Sequence, residues 1–196
     1  MGHATPPTSY GSSGTCQLAG GASRMLPRPG GAVFVLSASA IRGCTASGQL
    51  DTTIGTAPDF AYTTNGIVEF ARTADGGMAH LGSTGWRRIN AGFVPDTSLG
   101  AFGTVAFTLP TVANLIAQPD GGVLVGGTDG PDFKVLRYTS NGILDPGFGT
   151  NGTATFNVAG TQPSALAKLV AQPDGRILAI GKHYDTLDGA MVRFWP

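Results

Sequence analysis

The sequence predicts an all-β fold: a small β-propeller of four blades, each a sheet of four antiparallel strands, closed by the N-terminal strand pairing with the C-terminal blade. Three observations predict it. First, "LIAQPDGGVLVGG" at 115–127 returns as "LVAQPDGRILAIG" at 169–181, and both centre on a Pro-Asp-Gly turn. Second, a different signal, Asp followed three residues later by an apolar residue and Gly, occurs three times along the chain, once between those phrases. Third, the chain has 31 glycines and 13 prolines but one glutamate, Glu69, and three lysines, Lys134, Lys168 and Lys182. Glu and Lys are the usual surface residues of helices, so their scarcity favours strands and turns. Apolar residues make up 41% of the chain, enough to build a core rather than a disordered polymer.

Each element of a blade has its own signal. Laying Asp120 over Asp174 brings Ala74-Asp75-Gly76 and Arg28-Pro29-Gly30 into line, so that positions 29, 75, 120 and 174 are 46, 45 and 54 residues apart. Short apolar runs flank every turn: "SRML" and "AVFVLS", "VEFA" and "MAHLGS", "NLIA" and "VLVGGT", "AKLV" and "ILAIGK". Two such runs around an Asp-Gly or Pro-Gly turn read as a β-hairpin, because glycine accepts the positive φ the turn requires. The corner signal falls at Asp51 with Ile54-Gly55, Asp96 with Leu99-Gly100 and Asp145 with Phe148-Gly149. Strand-like segments flank it, as "FKVLRYT" and "GTATFNV" do in the third copy. No segment sustains a period of 3.6 over about 11 residues, so no long helix is expected. Four strands per unit at this period is a blade pattern, since one small sheet cannot bury both its faces alone.

The whole chain, 1–196, reads as one four-repeat domain, with 1–8 expected to be a flexible tail. The N-terminal "SYGSSGTCQLAGG" parallels "GFGTNGTATFNVAG", and "AMVRFWP" parallels "FKVLRYT". The last blade thus reads as lacking its outer strand and the N-terminus as supplying one, with Gly11 to Leu18 pairing with Ala190 to Trp195.

The phrases "ALAKLVAQPDGRILAIG" and "FKVLRYTSNGILDPGFGTNGTATFNV" resemble the delta-60 repeat of bacterial, often secreted or surface-exposed proteins. The resemblance covers Val112 to Pro196 most closely. It implies a propeller-like β fold and no established chemistry.

Composition narrows function. With 12 basic and 12 acidic residues the net charge is near zero. That argues against a nucleic-acid binder or a polybasic membrane-surface protein. No run of 18 apolar residues is present, so no membrane insertion by a helix is expected. The first residues lack the charged and apolar regions of a signal peptide, and an extracellular, cell-surface or virion location is expected by another route or after removal of a leader. Cys16 and Cys44 read either as two small buried thiols or as a disulfide.

No catalytic set emerges. The histidines are His3, His80 and His183, without a nucleophile-and-acid pattern around any of them. No metal is expected, since the histidines and cysteines are scattered and Asp129 and Asp132 in "GTDGPDF" lack the ladder of a calcium loop. The turn aspartates 75, 120 and 174 and the corner aspartates 51, 96 and 145 read as side chains bonding their own backbone. No cofactor is expected. The binding candidates are His183, Tyr184, Asp185 and Asp188 in one loop, Asp129 and Asp132 in another, and Trp86 as an aromatic platform. The expected function is a non-enzymatic binding or structural module for a protein or glycan partner, or one that self-associates. The alternatives are a glycan-processing enzyme and a fragment of a longer repeat protein.

Overall fold

The computed structural model describes residues 15–18, 24–36, 41–54, 68–91, 94–101, 103–157, 164–184 and 189–196. They divide into two units, Met1–Ile67 and Val68–Pro196.

The first unit holds one antiparallel sheet in the order β1 (Arg24–Pro27), β2 (Val33–Leu36), β3 (Ile41–Cys44). The turn between β1 and β2 corrects the sequence alignment by one residue. A three-residue 3-10 turn covers Pro29–Gly31, and the Arg28 amide donates to the Ala32 carbonyl at 2.8 Å. The equivalent closing bond in the next hairpin runs from Thr73 to Gly77, so Gly31 matches Gly76 and Gly30, not Pro29, matches Asp75. Gly31 has φ +85° and Gly76 φ +86°, a backbone state that glycine adopts without penalty. Gly30 is also left-handed, at φ +75°, where Asp75 is not. A disulfide joins Cys16 to Cys44 at the end of β3, with Cα atoms 6.3 Å apart.

The second unit holds three antiparallel sheets. One has the order β4 (Glu69–Arg72), β5 (Met78–Leu81), β6 (Gly85–Ile89), β7 (Val105–Ala106). Next come β8 (Thr111–Ala117), β9 (Val123–Asp129), β10 (Asp132–Tyr138) and β11 (Thr153–Asn157). Last are β12 (Ser164–Ala171), β13 (Ile177–His183) and β14 (Gly189–Phe194). All neighbours are consecutive, so every link is a hairpin or corner. Among the described residues the first and last sheets have three strands rather than the four expected. Part of the segment expected to complete the last sheet, 11–14, lies outside the described residues.

Each hairpin of the second unit is closed by the same bonds. The amide two residues after the aspartate donates to its carboxylate: Gly77 to Asp75, Gly122 to Asp120 and Arg176 to Asp174. Each corner is also a repeated set. The Asp51, Asp96 and Asp145 amides donate back to the carbonyls of Gly43, Arg88 and Arg137. The side chains accept from the amides of Thr53, Ser98 and Gly147. The apolar residue of each motif, Ile54, Leu99 or Phe148, is buried. Each corner carboxylate also meets an arginine: Arg28 at 2.8 Å, Arg88 at 2.5 Å and Arg137 at 3.2 Å, respectively.

Two cores lie between the sheets of the second unit. Ala79, Leu81, Trp86 and Leu99 pack against Leu115, Val123, Val125 and Tyr138. On the other side of the middle sheet, Leu124, Phe133, Val135 and Phe148 pack against Leu166, Leu169, Ile177 and Ala179. Strand β9 is therefore covered on both faces, which is why it reads as a continuous apolar run rather than an alternating one. The sheets approach closely at Gly126, where a Cβ would come 2.6 Å from Leu166 Cδ2.

Candidate functional site

The first of the two loops that the sequence singles out meets strand β12, whose partner strand β13 leads into the second. The tight link between β9 and β10 runs Asp129-Gly130-Pro131-Asp132, with Gly130 at φ +60° and Asp129 opposite Asp132 in register. Lys134 Nζ forms an ion pair with Asp129, and Asn157 Nδ2 donates to Asp132 Oδ1 at 2.9 Å. The Gly130 carbonyl accepts from the amide of Ser164 at 3.0 Å. Ser164 opens β12 and lies opposite His183 at the end of β13. The link that carries Asp129 and Asp132 is thereby tied to the end of the last sheet at which β13 finishes.

The side chains at that end divide by burial. His183 is buried, so it supports the surface from beneath. Tyr184 is 48% exposed, and Lys182 Nζ stands 4.7 Å from the centre of its ring. That contact braces a large aromatic face in water. Asp185 and Asp188 lie outside the described residues.

Trp86 does not join this surface. It is fully buried in the core between the first two sheets of the second unit, edge-on to Tyr138 with ring centres 5.7 Å apart. The reading of Trp86 as a stacking platform is thereby corrected. Its position on β6 faces the next sheet, where a large ring contributes packing. Burial also pushes the Tyr138 pKa up to about 12. His80 on β5 is buried as well, and desolvation, followed by the nearby Arg87 charge, brings its pKa down to about 3. It is a neutral core residue at ordinary pH.

A further polar set escaped the sequence reading. Glu69 on β4, Asn114 on β8 and Lys168 on β12 converge on one carboxylate. Asn114 Nδ2 donates to Glu69 Oε2 at 2.7 Å, and Lys168 Nζ does so at 2.9 Å. Asn114 Oδ1 accepts from the Leu169 amide at 2.9 Å, and Glu69 Oε1 accepts from the Phe70 amide at 3.1 Å. Glu69 and Asn114 are buried, while the Lys168 side chain is half-exposed. The one available signal was that Glu69 is the only glutamate of the chain.

Residues 118–148, the third hairpin and its corner, match the family model described as "Domain of unknown function (DUF5122) beta-propeller". With the repeated antiparallel sheets of three or four strands, this match supports a β-propeller repeat architecture. No curated protein matches the sequence. The fold is similar to the extracellular domain of BT3049 from B. thetaiotaomicron, described as a putative hybrid two component system, with a TM-score of 0.52 and 14% identity over 95% of this chain. It is also similar to YCF48 bound to D1 peptide, with a TM-score of 0.53 and 13% identity over 85% of this chain. The chain spans 23% of the length of the first and 48% of the second. At such identities the likeness is one of fold.

Proposed function

We propose that this chain is a non-enzymatic β-propeller binding module that takes a protein partner on the surface formed by Asp129–Asp132 and Lys182–Tyr184. The observation that carries the reading is the Ser164–Gly130 hydrogen bond, which ties the β9–β10 link of one blade to the end of the neighbouring sheet where β13 leads into Tyr184. Exposed tyrosine held by a neighbouring cation is the kind of anchor that dominates protein interfaces. Asp129, Asp132 and Lys134 add charges of both signs around it, which favour orientation and selectivity over bulk affinity. YCF48, similar in fold, is a protein bound to a peptide.

The reading extends to architecture and place. Four repeats of the blade pattern, one in the first unit and three in the second, make up the module. A disulfide suits an oxidising compartment, and the similarity to an extracellular domain agrees with an extracellular or surface location.

The test is selection of peptides from a displayed random library against the full chain, followed by rebinding to Tyr184→Ala and Asp129→Lys. Selected peptides should lose affinity about tenfold or more for each variant, the loss expected when a hot-spot residue is truncated. Asp174→Asn, in a hairpin turn, serves as the unaffected control. Peptides that bind both loop variants as well as the parent chain would overturn the proposal, and so would binding of glycans alone on an array.

A further inference from the structure

Glu69, Asn114 and Lys168 occupy the same place in three successive repeats. Each lies six residues before its turn aspartate, Asp75, Asp120 and Asp174. Each stands on the first strand of its blade, and in two blades the strand is bulged immediately before it. The register slips between Val112 and Asn114 in β8 and between Leu166 and Lys168 in β12. Bulges re-aim the side chain that follows. Here the two bulges bring Asn114 and Lys168 onto one carboxylate.

The rest of the blade contacts discriminate poorly between neighbours. Both cores are made largely of Val, Leu, Ile, Ala and aromatic side chains on hairpins of the same build. Cores of this kind tolerate exchange of apolar partners if volume is kept. A chain of similar repeats is therefore open to docking its blades in the wrong order, a characteristic failure of repeat proteins. The three equivalent positions are where the repeats differ most in chemistry: an anion, an amide and a cation.

We infer that the Glu69–Asn114–Lys168 network specifies blade order. Asn114 is the one member that both donates and accepts across blades, to Glu69 on one side and from the Leu169 amide on the other. All these bonds are made together only when the Asn114 blade sits between the other two. A Glu69 blade docked on another Glu69 blade would bring two buried carboxylates together. Docking the third blade away from the second would leave Glu69 without the Asn114 amide. An unpaired buried charge is strongly unfavourable, so wrong orders are disfavoured even where their apolar faces fit. Lys168 and Asn114 act as positioning residues here, and no ligand is required.

The experiment refolds the full chain from denaturant and counts the species by native mass spectrometry and size-exclusion chromatography with light scattering. Two variants are compared with the parent: Glu69→Leu/Asn114→Leu/Lys168→Leu, which replaces the network by apolar groups, and Glu69→Gln, which removes only the charge. The triple variant should remain folded but give additional oligomers or a broadened distribution, at least several-fold more than the parent. Glu69→Gln should shift in the same direction to a smaller extent. If the triple variant does not fold, Glu69→Gln decides. A parent-like distribution, with or without a lower Tm, would show a role in stability alone and overturn the inference. Neither result depends on partner binding, which is read separately with the loop variants.

Discussion

Ser164 donates its amide to the carbonyl of Gly130 at 3.0 Å, and Gly130 stands in the left-handed region at φ +60°. Space is not the constraint at Gly130, since a Cβ there would meet nothing within 4 Å. Its backbone state is. Gly130→Ala should therefore cost about 1–2 kcal/mol, the usual penalty for a side chain in the left-handed region. The loss should be localised: hydrogen exchange at the Ser164 amide should accelerate relative to β9 and β10. Unchanged exchange there would mean that the β9–β10 link and β12 are joined by something other than this bond.

His80 supplies a pH test of the core. It lies at the register position that Val125 and Ala179 hold in the next two blades, opposite the arginine-preceding residue of the third strand. Its pKa is lowered from 6.5 to about 3 by desolvation and then by Arg87. For a group with a depressed folded pKa, the unfolded chain binds the proton more readily. The stability it contributes is complete above pH 6.5 and falls as pH drops toward 3. His80→Val, which copies the natural occupant of the next blade, should remove that share of the pH dependence while keeping the fold. Urea midpoints measured from pH 7 to pH 4 should fall less steeply in the variant. Equal slopes would reject His80 as the titrating group.

The contrast between His80 and the hairpin turns shows what a sequence can disclose here. Turns at Asp75, Asp120 and Asp174 were legible because their chemistry is local: an aspartate bonding an amide two residues on, and a glycine at positive φ. The corners at Asp51, Asp96 and Asp145 were legible for the same reason. In the first blade Pro-Gly-Gly offers two glycines for one place, and matching the repeats by sequence alone selects the wrong one. Trp86 was misjudged because β6 has two adjacent buried residues, Gly85 and Trp86, so strict alternation does not mark its inward face. The meeting of Glu69, Asn114 and Lys168, and of Gly130 with Ser164, depends on how blades stack. No periodicity in one strand carries that information.

Arg88 shows how much the corner clamp contributes. Its guanidinium donates to Asp96 at 2.5 and 3.1 Å and to the Ser140 carbonyl, in the next blade, at 3.0 Å. Only 19% of its side chain is exposed. Arg88→Ala should cost roughly 2–3 kcal/mol, as loss of charge-assisted bonds to partly buried groups does. Arg176→Ala is the comparison: its pair with Asp174 is 3.3 Å long and more exposed, so a cost of about 0–1 kcal/mol is expected. Chemical denaturation of both variants checks the ordering, and a larger loss for Arg176→Ala would contradict it.

The same clamp predicts an acid limb. The Ser98 hydroxyl foremost, then Arg88, hold the Asp96 carboxyl below its ordinary 3.8, against the opposing effect of burial. Asp75 is lowered likewise, chiefly by the Thr73 hydroxyl. Depressed carboxyl pKa values contribute stability above about 3.8 that is lost as pH falls through the folded values. Ser98→Ala should raise the Asp96 pKa and flatten the loss of stability below about pH 4. NMR titration of the Asp96 carboxyl carbon reads it directly. An unmoved titration in Ser98→Ala would show that this hydroxyl does not set it.

The disulfide predicts the last effect. Cys16 and Cys44 are 28 residues apart in sequence, and Cys44 is buried at the end of β3. Cross-linking a loop of that length restricts the unfolded chain by roughly 3–4 kcal/mol in the chain-entropy picture. The first unit has one described sheet of three short strands, which gives it little apolar burial to offset such a loss. Reduction should therefore act mainly on residues 24–54, with hydrogen exchange there rising well before it rises in β8 to β10. Cys16→Ser/Cys44→Ser should reproduce the effect without reductant, which separates loss of the bond from side effects of the reagent. If the reduced chain and the double variant keep the exchange pattern and the Tm of the parent, the bond is dispensable to the first unit and its stability resides in the sheet alone.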